Sequence, residues 1–131
     1  MPIPYELPES MNLGAFLRGD TIILPIWTAK DRDGVIVNLT GATIHFTAKR
    51  NLLDADGAAP GFQISTATGD VAIIDPIAGT YRVIIPPLVT QPLEEPMAFQ
   101  WDVQVRTTNP YTLTVARGTF SIHLDATRVV G

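Results

Sequence analysis

The chain contains no cysteine. That absence excludes a disulfide framework, a thiolate metal site and a cysteine nucleophile, and it leaves the compartment open, since exported proteins also do without cysteine. Charge is sparse too. Only 17% of the 131 residues are Asp, Glu, Lys or Arg, and the 9 basic ones are spread along the chain. With a net charge of −4 and no concentrated basic face to neutralise phosphates, nucleic acid is not an expected partner. An anionic membrane surface is disfavoured for the same reason. No apolar run approaches the length of a membrane-spanning helix. The opening MPIPYELPES lacks the basic start and apolar stretch of a signal peptide. The expectation is a protein that stays where it is made, or leaves inside an assembled particle.

Helical periodicity is missing as well. The nearest candidate, PLVTQPLEEPM (residues 87–97), is interrupted by prolines. What is present is period-two alternation. In ATIHFTAKR (residues 42–50) Ile44, Phe46 and Ala48 alternate with polar neighbours. GTYRVII places Tyr81, Val83 and Ile85 on one face, and AFQWDVQVRT does the same with Phe99, Trp101, Val103 and Val105. TIILPIWTAK, VIVNL, FQIS and DVAII read as further strands. The segment from Tyr111 to Ala126 reads as one long strand or two pieces kinked near Gly118, with Phe120, Ile122 and Leu124 inward. Turn chemistry separates these runs: Asp31 to Gly34, Thr40-Gly41, Thr68-Gly69-Asp70, Asp75-Pro76 and Asn109-Pro110. Residues 51–61 read as a loop. Seven to nine short strands with such spacing predict an all-β fold, an antiparallel immunoglobulin-like sandwich over residues 13–131, with a small barrel as the other choice.

Residues 1–12 are expected to form an extended arm, because Pro2, Pro4 and Pro8 exclude a helix or central strand. Ile3, Tyr5 and Leu7 alternate along it and are candidate partner contacts. Trp27 is another, because TIILPIW is apolar on both faces: Ile23 and Pro25 share its side, and Ile22, Leu24 and Ile26 take the other. One of those faces is expected to be covered by something besides the domain's own sheet. A composition of 46% hydrophobic residues with little charge suits a protein covered in part by neighbours.

The sequence offers little chemistry. The Arg18-Gly19-Asp20 triplet has the form of an adhesion motif but abuts a strand pattern, so it reads as a strand entrance, with Gly19 as the bend. Two Asp-x-Asp-Gly runs, beginning at Asp31 and Asp54, lack the further ligands and flanking helices of a calcium loop and read as turns. His45 and His123 fall on outward faces of different strands, with Asp125 beside His123. Glu94 and Glu95 are adjacent and point apart in an extended chain. Ser10, Ser65 and Ser121 lack nucleophile-elbow surroundings. No catalytic, cofactor-binding or metal-ligating residue is assigned, and the chain is expected not to be an enzyme.

The order FLRGDT (residues 16–21), an apolar strand, DRDG (residues 31–34) and NLTGATIHF (residues 38–46) resembles the N-terminal domain of phage baseplate upper proteins. GTYRV (residues 79–83) and the strand carrying Trp101 look like that family's closing half, so the likeness runs from about Phe16 to Leu124. The resemblance implies a β-sandwich virion building block, a homo-oligomer in contact with other virion structural proteins, without cofactor, nucleic acid or membrane. It also implies a stand-alone module, where a baseplate upper protein continues into further domains. The alternative expectation is a carbohydrate- or host-surface-binding module that uses Trp27 or the 51–61 loop as its platform.

Overall fold

The structure, a computed structural model, describes residues 8–109 and 111–126. These residues form β-strands in sheets, with one short 3-10 turn and no α-helix among them. The strands are β1 (Ser10–Leu17), β2 (Ile22–Ile23), β3 (Trp27–Thr28), β4 (Thr43–Lys49), β5 (Phe62–Ser65), β6 (Val71–Asp75), β7 (Thr80–Ile85), β8 (Met97–Arg106) and β9 (Thr112–His123). The 3-10 turn, Pro87–Val89, stands where the prolines interrupt the helical candidate.

One sheet has five strands in the order β1-β9-β8-β4-β5, antiparallel except that β1 runs parallel to β9. The other is built on β7. It pairs with β6 along one edge and with β2 and then β3 along the other, Ile22 opposite Ile85 and Trp27 opposite Tyr81. Alternation dictates what lies between the sheets. Ile44, Phe46 and Ala48 of β4 and Phe99, Trp101, Val103 and Val105 of β8 are buried, and so are Tyr81, Val83 and Ile85 from β7. Rings from both sheets stack through this core. Trp27 lies 5.3 Å from Trp101 at an interplanar angle of 4°, and Trp101 lies 5.4 Å from Phe46. Offset stacking of this kind adds about 0.5–1.5 kcal/mol per pair to the area the rings bury.

One phase slip alters the expected faces, and others interrupt the ladders. Along the β2–β3 segment Ile22 and Leu24 point inward, Pro25 and Ile26 are exposed, and Ala29 is again buried. Pro25 has no N–H for the ladder, so the strand breaks there and restarts one residue out of phase. Trp27 therefore shares the inner face with Ile22 and Leu24, and Ile26 leaves it. Another slip lies in β1, where pairing with β9 shifts between Asn12 and Ala15 around Gly14.

Two expected elements differ. VIVNL is not a strand: Val37 and Leu39 are buried, but their N–H groups donate to the carbonyls of Ala29 and Pro76, leaving only an isolated bridge from Lys30 to Ile36. Leu124 is 38% exposed, because β9 ends at His123 and the chain turns away. Gly118 does not kink β9. It sits opposite Met11, and a Cβ there would overlap the Met11 carbonyl. Glycine is required because β1 approaches so closely.

Candidate interaction surface

The Arg-Gly-Asp triplet occupies the bend between β1 and β2. Gly19 has φ of 81°, open to glycine without strain, and its N–H donates to Thr90 Oγ1. Arg18 is only 7% exposed. Its Nε and Nη2 donate to Asp125 Oδ1 at 2.9 and 2.8 Å, and Nη1 donates to the Leu93 carbonyl at 2.8 Å. The guanidinium thus joins the bend, the segment after the 3-10 turn and the end of β9. An arginine so buried and occupied is not presented to a receptor. Asp125, two residues from His123, is taken up by the same arginine.

The remaining sequence candidates fall into place as structure. Asp31 Oδ1 accepts from the N–H groups of Asp33 and Val35, closing the turn at Gly34. Asn38 does the same for Thr40. His45 and His123 lie on β4 and β9, which β8 separates, and no cluster of three metal-ligating side chains occurs among the described residues. Ile3, Tyr5 and Leu7 lie outside the described residues. Where the chain is described, Ser10 to Asn12 already pair with β9, so the last part of the expected arm belongs to the sheet. Trp27 is half-buried, one ring face stacked on Trp101 and its ring centroid 6.0 Å from that of Tyr81.

Two outer surfaces stand out instead. On the outer face of the smaller sheet Ile23, 64% exposed, pairs with Ile84, and Ile26 is exposed nearby. Between Ile84 and Thr80 lies the half-buried Arg82, whose Nε is buried without a hydrogen-bond partner among the described residues. The sequence signalled this surface, because TIILPIW carries large apolar residues at odd and even positions alike.

The outer face of the five-stranded sheet is polar, and sequence reasoning missed it as a site. Gln63, Thr47, Asp102 and Arg117 form one cross-strand row, and His45 and Gln104 lie in the next. The 50–61 loop is tied to this face by a 2.8 Å ion pair between Asp56 and Lys49. A recess of about 290 Å³ opens over Thr47, Gln100 and Asp102, and another of about 220 Å³ lies over His45, Gln63 and Gln104. Burial pushes the Asp102 carboxyl above the ordinary carboxylate range; Asp56 adds to the shift and Lys49 opposes it. Asp102 makes no hydrogen bond or ion pair among the described residues. Arg117, directly opposite, turns its Nε to the Pro8 carbonyl at 2.7 Å.

No protein-family model matches the chain, and no curated protein matches it.

Proposed function

We propose that the chain is a non-enzymatic assembly module of a tailed-phage virion, an immunoglobulin-like sandwich that acts through contacts with copies of itself and with other virion structural proteins. The strand order supports the sandwich type: β9-β8-β4-β5 facing β2/β3-β7-β6 corresponds to G-F-C-C′ facing B-E-D. The resemblance of residues 16–46 and 79–83 to the baseplate upper proteins is the ground for the setting.

The observation that carries the reading is that the outer face of the smaller sheet carries large exposed apolar residues. An antiparallel sheet at a domain surface ordinarily shows polar residues outward. Here Ile23 and Ile84 pair on the solvent side, with Ile26 exposed nearby. A covering protein would bury these isoleucines. Repetition around a symmetric ring would multiply such contacts. The arm, with Ile3, Tyr5 and Leu7, would add a strand to a neighbour's sheet edge.

The test is Ile23→Asp, which places a charge on the face without touching the core. Loss of self-association or of co-assembly with neighbouring tail proteins, with thermal stability retained, is the expected result. Unchanged assembly would remove the reading. Deleting residues 1–7 leaves β1 whole and tests the arm separately.

A further inference from the structure

We propose that the outer face of the five-stranded sheet, beneath the 50–61 loop, is a binding site for a neutral saccharide. The site is separate from the assembly face, which lies on the other sheet.

Three features carry the argument. The first is shape. The loop, held by the Asp56–Lys49 ion pair, stands over the sheet and leaves recesses along its flanks. Leu52, 63% exposed, lines one of them and offers an apolar wall to the C–H face of a sugar ring. The second is the chemistry of the floor. Its dominant groups are the amides of Gln63, Gln100 and Gln104 and the hydroxyls of Thr47 and Thr114, all able to match groups that both donate and accept. Gln63 is already oriented, donating from Nε2 to Thr47 Oγ1 at 3.0 Å. Cations and carboxylates interleave there: Lys49, Arg106 and Arg117 against Asp56 and Asp102. The face therefore presents no field of one sign that would select a polyanion or a polycation.

The third feature is Asp102. Its carboxylate is half-buried, bonds no donor among the described residues, and opens into the recess, where it can accept from a ligand. Lys49 relieves it only in part, being bonded to Asp56, and Arg117 spends its Nε on the Pro8 carbonyl. The carboxylate is an acceptor only, so what suits it is a pair of hydroxyl donors, the arrangement that vicinal hydroxyls of a pyranose supply. A carboxylate perturbed by burial and set in a recess is the kind of group that marks a site.

The experiment is an amide-resolved NMR titration of the full chain with neutral oligosaccharides of glucose, galactose and N-acetylglucosamine, and in parallel with heparin. The expected result is saturable millimolar binding of a neutral oligosaccharide, with shifts confined to residues 50–61 and the outer face of β4, β5, β8 and β9. Asp102→Ala should weaken it about tenfold or more, the usual worth of a charge-assisted hydrogen bond. Asp102→Ala lies on the outer face and is expected to fold; Gln104→Ala, a fully surface change, gives a second reading in which affinity falls several-fold. Shifts at other faces, binding of heparin alone, equal affinity in both variants, or no binding to any neutral oligosaccharide would each overturn the proposal.

Discussion

Replacing Gly118 by alanine tests the account of how β1 is held. The added Cβ would overlap the Met11 carbonyl and would lie 2.7 and 2.8 Å from the Met11 C and N atoms, where ordinary contact begins at 3.4 Å. The obstacle is backbone on both sides, so no side chain can swing aside, and β1 must move away from β9. The pairs Ser10–Arg117, Met11–Gly118 and Asn12–Thr119 then separate. Losing two or three ladder hydrogen bonds costs about 0.5–1.5 kcal/mol each. Freeing the partly buried Met11 adds about 1 kcal/mol. Alanine restricts the unfolded chain and returns about 0.4–1 kcal/mol. The net expectation is a destabilisation of about 2–3 kcal/mol. Urea unfolding should show the midpoint falling by roughly 1–2 M for a slope of 1–3 kcal/mol/M. Hydrogen exchange should show the amides of residues 10–12 losing protection roughly thirty- to a hundredfold. A variant within about 0.5 kcal/mol of the parent, with those amides still protected, would refute the reasoning.

Other expectations follow from single side chains. Arg18→Ala removes an ion pair and leaves the Leu93 carbonyl without its donor, so unfolding should become about 2–4 kcal/mol easier by urea titration; Asp20→Glu, which also ends the adhesion triplet, should change stability little. Tyr81→Phe should leave stability unchanged or raise it by up to about 1 kcal/mol in a thermal melt, because the buried hydroxyl has no partner among the described residues and burial pushes its ionisation far upward. Asp102→Asn should raise the melting temperature at neutral pH. The native state holds the Asp102 proton more tightly than the unfolded chain does, so stability falls as pH rises from the ordinary carboxylate range through the raised native value. The advantage of the asparagine should therefore vanish in acid, and an advantage independent of pH would contradict this account.

The parts legible in the sequence were those whose alternation keeps one phase. β4, β7 and β8 each hold an unbroken inward set, and Trp101 falls in the core as its register requires. The turns at Asp31 to Gly34 and at Asn38 to Gly41 were equally plain, because their side chains cap their own backbone. β1 was harder. Met11 and Leu13 share a face, but the shift around Gly14 brings Phe16 into the core contact, so a strict period-two reading fails at that point. Residues 35–39 misled for the opposite reason, because apolar composition mimicked a strand where buried side chains hang on an irregular backbone. The polar recess was invisible. It depends on Gln63, Thr47, Asp102 and Arg117 lining up across four strands, and no local spacing encodes that register.

The parallel pairing of β1 with β9 has a mechanical consequence. Because the first and last strands run the same way, β1 begins beside Arg117, midway along β9, and the two strands run together as far as His123. Tension along the polypeptide would load that ladder lengthwise, straining its hydrogen bonds together in shear and not unzipping them in turn. A module wired in this manner can be threaded in series between neighbours and bear a pull.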